Sequence, residues 1–239
     1  MSDVLDVPLV FVPALGSDAR SWRPVADILG DKVTSVVVRG HGSSIEDMAD
    51  RVLEQSPQEF FLVGNSMGGY VSLEIALRRT GRVRGLVLLN SSAIAADSDR
   101  RANSQRLVEK VRAGEFDEAV TMISSAVAPQ RPDVAEAAAT MARDLGDEVF
   151  IAQQTAVSNR RDRRSEIATL DVPTLVIVGE HDAITPLALG SEVVDSVPHA
   201  ELVVLPGVGH LSTLEAPDAV ASHLLSWLSR QVTSARTGL

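Results

Sequence analysis

The sequence predicts an α/β fold: a doubly wound, mostly parallel sheet of about six strands with an inserted all-helical cap. Three observations lead there. Short apolar runs alternate with amphipathic helical stretches in the first and last parts of the chain. The alternation stops between residues 93 and 167, where helical spacing continues without a convincing strand. Between an apolar strand and a helix stands Gly64-Asn65-Ser66-Met67-Gly68, the pattern Gly-x-Ser-x-Gly.

Each element has its own signal. Pro8-Leu9-Val10-Phe11-Val12 is a continuous apolar run, ended by Pro13, that reads as a strand buried on both faces. A turn follows, then a helix from about Ser21 with Pro24 in its first turn. Val33 to Val38 is read as a second buried strand, closed by Arg39-Gly40-His41-Gly42-Ser43-Ser44. Ile45 to Gln55 is acidic and amphipathic, a surface helix ending before Pro57. Phe60 to Val63 is the third strand, and its helix reaches about Thr80 with Arg78-Arg79 in the last turn, where cations suit the helix dipole. Leu86 to Asn90 is the fourth strand.

From 93 to 167, Ala, Arg, Glu and Asp dominate, with apolar residues at helical spacing (Leu107, Val108, Val111; Val120, Ile123, Val127). Pro129 and Pro132 divide the stretch, and Val134 to Leu145 and Val149 to Ser158 form further helices. One crossover rarely needs so many residues, so this is expected to be a cap over the sheet's C-terminal edge. Residues 1–92 and 168–239 then form the two parts of the core. Alternation resumes with the strand Val172 to Gly179, a helix from Leu187 to Ser196, the strand Ala200 to Leu205 and a closing helix from Pro217 to Arg230. Residues after Ser229 read as a frayed tail.

Composition narrows the function. At 239 residues the chain can bury a full α/β core. A net charge of −10 with no basic stripe argues against nucleic acid. Cysteine is absent, which excludes disulfides and thiolate chemistry. The first residues lack a basic n-region and no apolar run nears membrane-spanning length, so a cytoplasmic protein without a membrane partner is expected. The scattered histidines and acids form no metal cluster.

The glycines of the serine motif have a geometric reason. Exposing a serine at the top of a sheet demands a sharp, strained turn, and side chains two positions before and after it would collide. The helix that follows aims its N-terminus at the reacting centre. Alone, the pattern fits an ordinary glycine-rich turn as well as a nucleophile. Ligands of open α/β sheets bind beyond the strands' carboxyl ends, so other polar residues there are the test. Glu180-His181-Asp182 through Pro186 follows one strand, and Gly207-Val208-Gly209-His210 follows the last.

With Gly64-Asn65-Ser66-Met67-Gly68-Gly69, Arg39 to Ser44, Gly179-Glu180-His181-Asp182 and Gly209-His210 with Glu215-Ala216-Pro217, the chain resembles the α/β-hydrolase fold family over nearly its whole length. The resemblance implies Ser66 as nucleophile, His210 as general base and acid, and Asp182 as the group that orients His210. The chemistry agrees, since a serine hydroxyl needs a base and imidazole titrates near neutral pH. The resemblance also implies an oxyanion hole from the backbone N–H groups of Leu15 and Met67. Here the chain departs from the family, carrying Pro13-Ala14 where His-Gly is usual. Its N-terminus is too short for the family's first two strands, which implies a six-stranded sheet beginning at the third.

Among other residues, His41 is expected to be structural, His181 is a neighbour of Asp182 without support as the base, and His199 and His223 read as surface positions. Glu215 is expected to be a structural residue near the last helix and not a second acid. Asp18, Arg20 and Trp22 either line the mouth of the site or belong to a surface loop. A serine nucleophile implies an acyl-enzyme, hence a small carboxylic ester or lactone substrate and no cofactor. A carbon–carbon hydrolase of ring-cleavage products is one alternative; a triad-bearing ligand receptor or non-hydrolytic synthase is another. A monomer or homodimer is expected from base rates alone.

Overall fold

The carboxyl ends of the strands finish level with one another, and that alignment positions everything described below. A computed structural model describes residues 5–237, with side chains over residues 7–231. Its six-stranded sheet is parallel throughout, comprising β1 (Leu5–Val12), β2 (Val33–Val37), β3 (Phe60–Asn65), β4 (Val83–Leu89), β5 (Thr174–Gly179) and β6 (Glu201–Leu205). The spatial order is β2-β1-β3-β4-β5-β6. In register, Val12 lies beside Gly64, Asn65 beside Leu89, Leu89 beside Ile177 and Gly179 beside Leu205.

Helices cover both faces, as the two-residue period of the strands requires. On one face Val10, Leu62, Leu88 and Val176 pack under α2 (Ile45–Gln55), α3 (Met67–Leu77) and α9 (Leu187–Ser196). On the other, Phe11, Val63, Val87 and Ile177 pack under α1 (Arg23–Leu29) and α11 (Pro217–Thr237). Local chemistry sets the helix starts. The Ser44 hydroxyl accepts the Asp47 N–H at 3.0 Å at the head of α2, with Glu46 and Asp47 in the first turn.

Two expectations change. The strand at Val33 is not buried on both faces: it is a sheet edge, with burial alternating along it and Val36 40% exposed. The closing helix does not fray after Ser229 but continues to Thr237, since neither glycine nor proline interrupts it before Gly238.

Between β4 and β5 lie α4 (Ser98–Arg112), α5 (Phe116–Val127), α6 (Pro132–Leu145), α7 (Asp147–Asn159) and the short α8 (Arg164–Ile167). They have an apolar cluster of their own, built on Leu107, Val111, Val120, Ala139 and Phe150. Leu15, from the turn after β1, packs against it. The remaining helix, α10 (Ser212–Glu215), is a single turn just after β6.

Candidate active site

Ser66 stands between β3 and α3 with φ 53° and ψ −114°, in the left-handed half of backbone space that L-residues avoid. Such strain costs about 1–3 kcal/mol and persists only where neighbours enforce it. They do so through close packing. A Cβ on Gly64 would run into the Gly68 backbone, and one on Gly68 into the carbonyls of Val12 and Pro13. A Cβ on Gly69 would meet the hydroxyl of Ser91, which itself donates to the Ser66 carbonyl at 3.0 Å.

The sheet edge brings the three predicted residues into one hydrogen-bonded chain. Ser66 Oγ is 2.9 Å from His210 Nε2. His210 Nδ1 is 2.9 Å from both carboxylate oxygens of Asp182. An ionised carboxylate only accepts, so Nδ1 carries the proton and Nε2 is left to accept from the serine hydroxyl.

Asp182 is held from several sides. Its Oδ1 accepts the N–H groups of Ile184 and Thr185 at 2.8 and 2.9 Å, and its Oδ2 accepts the Thr185 hydroxyl at 2.6 Å. Oδ2 also accepts Asn90 Nδ2 at 2.8 Å. Burial alone would push this carboxyl up, but the hydrogen bond and charge of His210, with the donors of Thr185, outweigh it and hold the group at about 2. Asn90 closes β4 at φ 47°, a conformation asparagine tolerates better than most residues. Its Oδ1 accepts the Ser212 hydroxyl at 2.7 Å, and its Nδ2 also donates to the Gly209 carbonyl at 3.1 Å. Glu215 brackets His210 by accepting the N–H groups of Gly209 and Leu211 at 2.8 and 2.9 Å, the supporting role expected of it.

A cavity of about 570 Å³ opens over Ser66 and His210, and Leu15 and Met67 line it. One wall is apolar, with Ile123, Val127, Ala138 and Ala142 from α5 and α6. Polar groups also line the cavity: Arg100, Asn103 and Ser104 from α4, Gln154 from α7 and Arg160 just after α7. The turn carrying Leu15 is tied to α7, because Gly16 N–H donates to Gln153 Oε1 at 2.8 Å.

Asp18, Arg20 and Trp22 do not line this cavity. Asp18 accepts the Arg20 N–H at 2.9 Å at the head of a 3-10 turn, and Arg20 pairs with Asp144 at 2.7 Å. Trp22 is fully buried and stacked on Phe11, with ring centroids 4.4 Å apart. Its indole N–H has no partner among the described residues, a cost of about 1–3 kcal/mol. Burying some 150–250 Å² of aromatic surface is worth about 4–6 kcal/mol and decides the matter. His41 is exposed in its turn, so it is not the structural histidine expected there. Gly40 holds that turn, since its Cβ would strike Met48. His181, His199 and His223 are exposed and outside the cavity.

The sequence reading did not single out Asn90, Gln153, Gln154 or Arg160. Asn90 carried a usable signal: it is the polar residue ending an apolar strand at the ligand-binding edge. The other three come from helices whose facing the sequence left open.

Residues 9–223 match the family model described as the alpha/beta hydrolase family. Among curated proteins, the chain is 27% identical over 253 residues to a pimeloyl-[acyl-carrier protein] methyl ester esterase of Yersinia enterocolitica, covering 95% of each. A thermophilic esterase from Thermogutta terrifontis, solved with malate bound, superposes with a TM-score of 0.85 at 25% identity, over 95% of this chain and 91% of that one. The enol-lactonase of Burkholderia xenovorans LB400 shares the fold at a TM-score of 0.82 and 22% identity, over 94% and 92% of the two chains.

Proposed function

The chain belongs to the alpha/beta hydrolase family, and from that premise we propose that it hydrolyses a small carboxylic ester or lactone through an acyl-enzyme on Ser66. The observation that carries this reading is the 2.9 Å contact between Ser66 Oγ and His210 Nε2, at the floor of a cavity large enough for a small substrate. The esterase names of the Yersinia relative and the Thermogutta structure support the same bond type.

His210 Nε2 takes the hydroxyl proton as Ser66 Oγ attacks the carbonyl carbon. Asp182 keeps the imidazole in the required tautomer and stabilises the imidazolium that forms. The N–H groups of Met67, at the start of α3, and of Leu15 receive the oxyanion, a contribution of about 3–4 kcal/mol per donor in related chemistry. The tetrahedral intermediate collapses, the leaving alkoxide takes the proton from His210, and Ser66 keeps the acyl group. Water, deprotonated by His210, then reverses the sequence and releases the acid. No step uses a cofactor. Residues 93–167 act as a cap, and the substrate lies between their helices and the sheet edge. Among the described residues no helix is long and apolar enough to cross a membrane.

Steady-state turnover of p-nitrophenyl butyrate, short methyl esters and γ-lactones tests the reading. Wild type turns over at least one class, and Ser66→Ala abolishes that turnover. Equal rates in the two proteins would overturn it.

A further inference from the structure

The chain crosses between core and cap twice, and the two crossings meet. Arg163 N–H donates to the Ala93 carbonyl at 2.8 Å, and Arg160 Nε donates to the Ile94 carbonyl at 2.9 Å. These bonds join the crossings but leave the angle of the cap to other contacts. Elsewhere an apolar cluster joins Ala14 and Leu211 of the core to Ala128, Val134 and Ala138 of the cap. At the crossings the contacts are ionic.

The side chain of Arg163 is 11% exposed and that of Glu74 9%. Arg163 Nη2 donates to Glu74 of α3 and lies 3.6 Å from Glu46 of α2, while Nη1 donates to Glu166 of α8 at 2.9 Å. One planar guanidinium thus holds a core helix with one nitrogen and a cap helix with the other, which fixes direction as well as distance. Glu74 also accepts Arg78 Nε at 3.2 Å, and Arg78 reaches α2 through Asp50 and the Glu46 carbonyl. By contrast, the core–cap pairs Arg20–Asp144 and Arg164–Glu192 are exposed and screened by water. Spacing along α3 ties the buried network to the nucleophile. Ser66, Tyr70 and Glu74 follow one another at four-residue intervals, the spacing of one helical face. Ser66 and Tyr70 line the cavity, the Arg160 guanidinium lies 4.4 Å from the centre of the Tyr70 ring, and Arg163 pairs with Glu74.

Resting on the proposed hydrolase reading, we infer that Glu74 and Arg163 are positioning residues that set the stance of the cap over Ser66. Neither lines the cavity. Their pair holds the apolar α5/α6 wall, Ile123 and Val127 among it, at a fixed distance from the serine. It thereby sets the affinity for acyl chains long enough to reach that wall, without entering the chemistry at Ser66.

The test compares p-nitrophenyl acetate with p-nitrophenyl hexanoate in wild type, Arg163→Lys, Arg163→Met and the double variant Glu74→Gln/Arg163→Met. Arg163→Met raises KM for the hexanoate about fivefold or more, with KM for the acetate and both kcat values within about twofold, the pattern of lost binding without lost chemistry. Arg163→Lys keeps the charge and recovers part of the difference. The double variant strands no buried charge and matches Arg163→Met, because the two residues act as one unit. Hydrogen exchange on the same proteins gives a readout independent of turnover: it rises across α4 to α7 while β3, β4 and β5 keep their protection. An unchanged chain-length profile with unchanged cap exchange, or exchange rising equally in the strands, would overturn the positioning role and leave the hydrolase reading standing. Absence of any Ser66-dependent turnover would remove the hydrolase reading, while exchange still decides whether the pair holds the cap. Should Arg163→Met fail to fold, Arg163→Lys and the double variant decide alone.

Discussion

Asn90 Nδ2 donates to Asp182 Oδ2 at 2.8 Å, joining the end of β4 to the loop after β5 across 92 positions of sequence. The same side chain reaches the His210 loop through Ser212 and the Gly209 carbonyl. One asparagine thus fixes both members of the Asp182–His210 pair relative to each other. Asn90→Ala removes a hydrogen bond to a carboxylate and places alanine at positive φ. We expect kcat to fall roughly 10- to 100-fold, the range of 1.5–3 kcal/mol, with a smaller change in KM. Asn90→Asp sets a second carboxylate against Asp182, and like charges raise each other's pKa. The acid limb of its rate profile moves to higher pH than in wild type, and an unmoved limb would contradict the role given to Asn90.

Asp182 also couples activity and stability to acid. Its folded-state pKa, about 2, lies below the ordinary carboxylate value, so the folded state holds the charged form more tightly than the unfolded chain does. The stabilisation is fully present above about pH 4, the unfolded value. It is lost as pH falls through the folded pKa near 2. Urea titrations of wild type and Asp182→Asn from pH 6 to below pH 3 check this: the wild type loses stability in that acid window, and the variant loses less. Asp182→Asn also drops kcat by roughly 10⁴, because the tautomer of His210 is no longer enforced.

Gln153 supplies the acceptor for Gly16 N–H, one residue along the chain from the Leu15 donor assigned to the oxyanion. Gln153→Leu preserves bulk and leaves that buried N–H unmatched, costing about 1–3 kcal/mol. The turn loosens, so kcat falls more than KM changes. Thermal unfolding and steady-state kinetics on one preparation check both effects, and unchanged kcat would show that the turn holds its shape without α7.

Gly64→Ala and Gly68→Ala place a methyl group against backbone that cannot yield, at Gly68 and at Val12 and Pro13 respectively. Both variants are expected to lose activity and several kcal/mol of stability, in the range of severe core substitutions. Gly81→Ala is the control. It carries positive φ but has open space around it, so only backbone strain of about 1 kcal/mol is expected. Equal unfolding midpoints for the three would contradict the packing account of the elbow.

Much of this was legible in the residues themselves. Apolar runs ending at Val12, Val63, Gly179 and Leu205, each followed by polar or glycine-rich turns, mark strands whose carboxyl ends share an edge and put Ser66, Asp182 and His210 at it, while the roles of the three came from the resemblance to the hydrolase family. Trp22 went the other way because a lone indole beside a polar loop has no sequence signature separating a cavity wall from a seat against Phe11. His41 was misplaced for a related reason: a turn motif fixes the backbone path, and Gly40 carries it without the imidazole. The cap residues Gln153, Gln154 and Arg160 were out of reach. Their helix has a polar and an apolar residue at almost every turn, and only its packing against α4 decides which side faces the cavity.

The measurement that tests the central claim most directly is intact-mass labelling with a fluorophosphonate on wild type and Ser66→Ala, with and without a competing short ester. An activated serine in an acyl-accepting cavity predicts one adduct on wild type, none on Ser66→Ala, and loss of labelling as ester is added. An unlabelled wild type, or equal labelling of the two proteins, would contradict it.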